Sequence, residues 1–367
     1  MNDLILNEKE MPMEVIDKSI TIGAVDLFCG IGGLSYGLNQ SGIDVVAGID
    51  LDPSCEYAYE KNVGIGRFIK KSVSDVNGSE IMSKFENFSI TVLVGCAPCQ
   101  PFSSHTNKIK EKEKSDKWDL LNQFLRIVKE STPDIISMEN VPNLAKKEIF
   151  INFVSSLSSM GYYVSYSNVY CPNYGIPQKR RRLVLLASKL GEISIIQSTH
   201  NKENYLTVRD AIGVLEHLKN GQKSKTDKLH YTTRLSKNNL TRIKASKPNG
   251  TWEDWPEELR LSCHQKENGK TYKSVYGRMS WDEPSPTITT QFYNYGTGRF
   301  GHPDQNRPLT LREAALLQTF PSDYDFVAED GTVSMNSLGI HIGNAVPPKL
   351  GEAIGLSIIA HVLGAAI

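Results

Sequence analysis

Cysteine is sparse in this chain, and long apolar runs are missing. Six cysteines in 367 residues cannot make the disulfide framework of a secreted domain, so a reducing compartment is expected. No apolar stretch is long enough to cross a bilayer. The opening MNDLILNEKEMPMEVIDKS has neither a basic leader nor an apolar signal core. The expectation is a loosely ordered arm over residues 1–19 of a cytoplasmic protein with no membrane attachment. Excess charge is also absent, since 41 basic residues balance 41 acidic ones. A nucleic-acid partner therefore requires basic side chains gathered on one face, because the chain as a whole does not attract phosphate. No His/Cys grouping has zinc spacing, and no metal is expected. Internal repeats and low-complexity tracts are lacking too.

What is present begins with a strand pattern over residues 20–28, followed by Gly30, Ile31, Gly32 and Gly33 and a helix from about Leu34. Glycines at a strand-to-helix turn let a ligand approach the backbone and the helix N-terminus. The dinucleotide fingerprint is incomplete, because Ser35 stands where the third glycine belongs, so a nicotinamide site is the lesser reading. A second strand over 43–49 ends in Asp50-Leu51-Asp52-Pro53. A carboxylate there is placed to accept hydrogen bonds from a ribose, whereas helix capping suits Asp52 better. Residues 90–94 form a third buried strand, after which Pro98 rigidly precedes Cys99. A thiol at such a strand end lies where α/β sheets display reactive groups. Two readings compete with that one: a buried apolar cysteine, and a redox dithiol of Cys96 and Cys99.

Downstream, residues 103–117 are polar and lysine-rich, which reads as a solvated loop or a lid, and a helix follows over 119–130. A strand over 135–138 delivers Glu139 to the same sheet edge as Cys99, either as an acid or as a helix cap. Arg180 and Arg182 precede the apolar run 183–187 and would share one face of a strand. From about residue 190 the regular alternation fades. Lys225, Lys228, Arg234, Lys237, Arg242 and Lys244 are followed by Trp252 and Trp255, a mixture that suits phosphate and base-edge contact.

Six motifs in one order carry a resemblance: DLFCGIGG (26–33), GCAPCQPFS around Cys99, ENV (139–141), QKRRR (178–182), LREAALLQTFP (311–321) and IGNAVPP (342–348). Together they resemble the cytosine-C5 DNA methyltransferases, over the chain from about residue 22 to its end apart from a variable stretch before Leu311. The resemblance implies a doubly wound α/β S-adenosylmethionine-dependent domain, Rossmann-like, over residues 20–190 and 336–367. A smaller target-recognition domain would comprise residues 191–335. It makes Cys99 the nucleophile, Glu139 the group that meets the base, and Arg180 and Arg182 the pair facing it. Cofactor contacts would come from the glycine turn (Gly30, Ile31, Gly32, Gly33), Phe28, Asp50, Leu51, Asp75, Val76, Pro98, Leu120, Asn344 and Ala345. The family more often has Glu and a bulky aromatic at the positions of Asp50 and Leu51, and Arg where Lys117 and Leu316 stand. His341 replaces a common Gln, and Arg181 fills a position that varies.

Gln100, Ser103, Thr287 and Ile288 would lie at DNA, with Arg312, Glu313 and residues 318–321 propping the recognition part. The expected partner is double-stranded DNA, acted on by a monomer, with a cognate restriction endonuclease sharing the site. Rival readings are a tRNA cytosine methyltransferase, a binding module for methylated DNA, and a dithiol oxidoreductase. The presence of Cys99, Glu139 and Arg182 opposes the binding module, and the other motifs oppose the oxidoreductase.

Overall fold

The computed structural model describes residues 20–98 and 111–365, except 265, 268 and 270. Its described strands are β1 (Ile22–Leu27), β2 (Asp44–Asp50), β3 (Phe68–Lys70), β4 (Ile90–Gly95), β5 (Ile135–Asn140), β6 (Tyr163–Tyr170) and β7 (Arg181–Ser188). They form one sheet in the order β3-β2-β1-β4-β5-β7-β6. The strands from β3 to β5 in that order run parallel, and β7 enters antiparallel between β5 and β6. Strands of this kind, buried on both faces, read as continuous apolar runs, which is why four of them were evident from β-branched sequence alone. The sequence reading missed β3, only three residues long, and β6, whose exposed Tyr163 and Tyr166 break the apolar pattern.

Alternate residues of the sheet feed two cores. On one face Ala24, Val92, Val94 and Val184 meet Leu34 and Leu38 of α1 (Gly33–Ser41) and Ile354 of α10 (Pro348–Ala365). On the other, Val25, Leu93, Ile136 and Leu185 meet Phe124 of α4 (Glu111–Ser131) and Phe153 of α5 (Glu148–Ser159). Helix α4 starts earlier than expected, taking in residues 111–117. Its Glu and Lys residues recur at three- and four-residue spacings, which supports a helix as well as a solvated loop. Helices α1 and α10 approach so closely that a Cβ on Gly37 would lie 2.2 Å from the Pro348 carbonyl oxygen. That seam locks the last helix beside the first glycine turn.

After β7 the described chain contains no further named strand. Short helices α6 (Val208–Ile212), α7 (Lys237–Ala245) and α8 (Leu311–Leu317) are joined by loops and isolated bridges. The core on the α1 face continues without a break into this part, through Val208, Leu229, Ile288, Phe292 and Leu311. Trp252 and Trp255, expected at a nucleic-acid surface, are instead buried with His264, Tyr276 and Tyr295 in an aromatic cluster. Two large rings so close in sequence gain more from burial than from solvent.

Candidate active site at the carboxyl ends of the strands

In this strand order the connections part between β1 and β4, the place where open α/β sheets bind ligands. A cavity of about 380 Å³ opens there. Phe28, Gly30, Ile31 and Gly33 line it after β1, Asp50 and Leu51 after β2, Pro98 after β4 and Leu120 from α4. Asn344 and Ala345 close it from the end of α9 (Met335–Asn344). The turn after β1 is held open by positive φ at Phe28 (63°), Gly30 (51°) and Gly32 (87°). Asp50 fastens it, accepting from the Gly30 amide at 2.8 Å and the Asp52 amide at 2.9 Å. Leu51 is 66% exposed at the rim, a large apolar side chain with a flat ligand face as its natural cover. Gly32 caps α1 and is not part of the lining, and neither are exposed Asp75 and buried Val76. Ser72 and Val73 take the place foreseen for that pair.

The cavity is acidic. Its lining includes the carboxyls of Asp26, Asp50 and Asp52 and the imidazole of His341. Asp26 is 1% exposed and accepts from the Ser35 hydroxyl at 2.6 Å. Burial pushes its carboxyl up to about 7, against the hydrogen bond from Ser35 and with help from Asp50. A cationic ligand would reverse that shift and hold the carboxylate ionised. His341 shares its ring nitrogens between the Ser54 hydroxyl at 2.9 Å and the Cys55 sulfur at 3.7 Å. Burial holds the imidazole below its ordinary value despite Asp52 and Asp50 nearby. Asp26 and His341 were not foreseen as lining residues. Asp26 sits inside the first quoted motif, but its pattern does not distinguish a ligand contact from a buried turn anchor.

Beside the cavity lies a second group. Because β7 runs against β5, its first residues fall at the same edge as the last residues of β4 and β5. Val184 pairs with Glu139 and Leu183 with Asn140. The Arg182 Nε therefore sits 2.7 Å from Glu139 Oε1, with Glu139 itself 2% exposed. The contact is one of charge: among the described residues Oε1 has no aligned hydrogen-bond donor. The other oxygen, Oε2, lies 2.8 Å from the Cys96 thiol. Asn140 donates to the Ala97 carbonyl at 3.0 Å and so fixes the segment that leads to Pro98. Cys99, Gln100 and Ser103 lie outside the described residues.

Arg180 departs from the expected pair. It is 2% exposed, and its guanidinium donates to the carbonyls of Ile288, Gly343 and Ala345 at 3.3–3.4 Å. Burial brings it down to about 10, with the Arg182 charge adding to the effect. It braces the segment at Ile288 against the C-terminal end of α9, where the sequence placed it at the base. Ile288 is likewise fully buried, its amide bound to Gln178 Oε1 at 2.8 Å, so its side chain is core and not a DNA-facing surface. Thr287 stays half-buried and donates to the Lys179 carbonyl. Gln178 reaches on to Gln318 Oε1 at 2.7 Å, and Gln318 donates to the Ile342 carbonyl at 2.6 Å. Residues from three of the quoted motifs and the 287–288 pair are thus tied into one frame.

The family model for C-5 cytosine-specific DNA methylase matches residues 22–360. The Type II methylase M.HgiDII of Herpetosiphon aurantiacus is 54% identical over 92% of this chain and 95% of its own length. The Type II methyltransferase M1.BsuMI of Bacillus subtilis is 30% identical over 94% of this chain and 81% of its own. Among solved structures, a prophage-encoded E. coli chain assigned as a DNA modification methyltransferase superposes with a TM-score of 0.69. It covers 94% of this chain and 100% of that one at 21% identity, which shows the α/β methyltransferase fold.

Proposed function

This chain belongs to the C-5 cytosine-specific DNA methylase family and is a DNA cytosine-5-methyltransferase, and from that premise we propose its cofactor, its substrate and the task of each residue. The cofactor is S-adenosylmethionine and the substrate a cytosine flipped out of a specific double-stranded sequence. The modification protects DNA from a cognate restriction endonuclease. The protein acts as a monomer in the cytoplasm. The observation that carries the reading is the Glu139–Arg182 pair, set at one sheet edge beside an acidic cavity.

The cavity suits the cofactor, since its carboxylates answer a sulfonium and an ammonium group and its rim offers Leu51 to a flat ring. Asp50 and the glycine turn would hold the ribose side, Phe28 and Leu51 the adenine, and Asn344 and Ala345 would close the pocket. Bound S-adenosylmethionine supplies an electrophilic methyl group on a positively charged sulfur. C5 of cytosine is a poor nucleophile and is hidden in the duplex. Extrusion of the base costs a few kcal/mol, returned by contacts in the pocket. The Cys99 thiolate adds to C6, and the new S–C6 bond pushes electron density to C5. Glu139 holds or protonates N3 while Arg182 takes O2, so that charge developing on the ring is met by fixed groups. Once C5 carries the methyl group, departure of its proton would return electrons to the ring and expel Cys99.

The recognition part, residues 191–335, would read base edges in the major groove. Incubation with cofactor labelled in its methyl group, together with plasmid DNA or tRNA, tests the reading. Label should enter plasmid cytosine at C5, and label in tRNA alone would overturn it.

A further inference from the structure

The geometry points to Cys96 as a positioning residue for Glu139, one that keeps the carboxylate aimed until a base takes its place. The inference rests on the proposed role of Glu139. Cys96 lies at the end of β4, three residues before the proposed nucleophile, and its thiol donates to Glu139 Oε2 at 2.8 Å. Its backbone is pinned on two sides. The Cys96 amide donates to the Leu27 carbonyl at 3.3 Å, and the next carbonyl, that of Ala97, accepts from Asn140 at 3.0 Å. Cys96 also lines the acidic cavity. The thiol thus stands in the wall between the proposed methyl donor and the carboxylate that would hold the base.

This placement gives the two Glu139 oxygens different tasks. Oε1 is held by the charge of Arg182 without an aligned donor among the described residues. Oε2 is held by direction, through a donor on a rigid strand end. A hydrogen bond to an ionised acceptor is stronger than a neutral one, yet a thiol is a weak enough donor to be exchanged for a substrate group. Cys96 therefore fixes the rotamer of a nearly buried carboxylate without competing with the base. Among the described residues, the titratable groups that act on Glu139 are Cys96 just after β4, Arg182 from β7, Arg180 just before it, and Cys171 after β6. Cys96 alone of these donates a hydrogen bond to it.

The test is methyl transfer to DNA as a function of pH by the full chain and its Cys96→Ala, Cys96→Ser and Glu139→Gln variants. Loss of the thiol donor makes the ionised carboxylate less favourable. The limb of the kcat/KM profile should then move to higher pH in Cys96→Ala. Turnover of Cys96→Ala should fall about 3–30-fold, as expected for a loosened catalytic group. Cys96→Ser should restore both rate and limb, because the contact is short for sulfur and a hydroxyl still reaches. A Cys96→Ala limb that coincides with wild type, or serine and alanine variants shifted alike, would overturn the inference. Should Glu139→Gln keep the wild-type rate and limb, the assignment of Glu139 itself would fall. A collapsed Glu139→Gln beside an unshifted Cys96→Ala would remove only the role of Cys96.

Discussion

The described residues between 20 and 190 satisfy their backbone with strand ladders and helices, whereas those between 191 and 334 hand much of that work to buried side chains. In the first part each sheet strand is laddered to its neighbours, with one register shift between β1 and β2 at Ala24/Val25, and the site residues lie at strand ends. In the second, Arg278 alone donates to the carbonyls of Ile243, Ser246, His302 and Gln305 and to the Asn306 side chain. Arg307 and Glu313, both fully buried, form a two-pronged pair at 2.6 and 2.9 Å, and Glu313 also caps α8 through the Thr310 amide. Arg312 reaches Asp227 across the same region at 2.6 Å. A ladder constrains every residue in it, so little can change there. A loop braced by a few buried guanidinium groups leaves its outer side chains free to vary, and Lys225, Lys228, Arg234, Lys237 and Lys244 are all exposed. The first kind of framework suits a site common to all cytosines, and the second suits the sequence reader proposed for it.

The comparison can be broken by substitution, and the largest effect is expected at the strand ends. Cys99→Ser should lose methyl transfer by at least about 10³-fold while cofactor and DNA binding persist, because a hydroxyl is a far poorer nucleophile toward C6. Single-turnover assays with equilibrium binding would show it. Turnover retained there but lost in Cys96→Ser would restore the dithiol reading. Next in size is Arg307→Leu, expected to lower unfolding free energy by about 3–5 kcal/mol, since it strands Glu313 as an unpaired buried charge. Burial pushes the Glu313 carboxyl up, but Arg307 more than reverses this and holds it at about 2. The pair's contribution is therefore complete above the ordinary carboxylate value and fades as pH falls toward 2. Denaturant titrations of wild type and variant should converge over that window. Equal stability at pH 7 would mean that the side-chain brace does not hold the second part.

Smaller still is Asp50→Ala, which should weaken cofactor binding by about 1–3 kcal/mol. Asp50 also fastens the Gly30 turn, so part of that loss would come from the turn. The turnover number at saturating cofactor should change much less, because a ribose contact is remote from the methyl group. Calorimetry with S-adenosylmethionine that returns an unaltered Kd would remove Asp50 from the cofactor site.

The same contrast explains what could be read from the sequence. Strands β1, β2, β4, β5 and β7 announce themselves by apolar runs, and a strand end is where glycine turns and single carboxylates gather, so Asp50 and Glu139 could be picked out. Residues 191–334 have no period to detect. Nothing in the spacing of Arg278, Asn306 and Ile243 says that they meet, and Trp252 and Trp255 look the same in sequence whether buried or exposed. Arg180 was misplaced for a related reason. Alternation puts Arg180 and Arg182 on one face of an extended segment, but β7 begins only at Arg181. Arg180 is free to turn toward three carbonyls contributed by residues more than a hundred positions away. Cys96 and His341 depend on packing between distant segments, which no local pattern records.

The division of labour itself is tested most directly by exchange. The stretch from about residue 190 to 310 of this chain would be moved into a relative with a different target, and DNA from cells carrying the chimera read by bisulfite sequencing. In the proposed mechanism, side chains at strand ends act on atoms common to every cytosine. Only groups reaching base edges discriminate, at about 1–3 kcal/mol for each good bidentate contact. The chimera should therefore place methyl groups in this chain's pattern, at reduced rate. A folded, active chimera that kept the recipient's pattern would contradict the account.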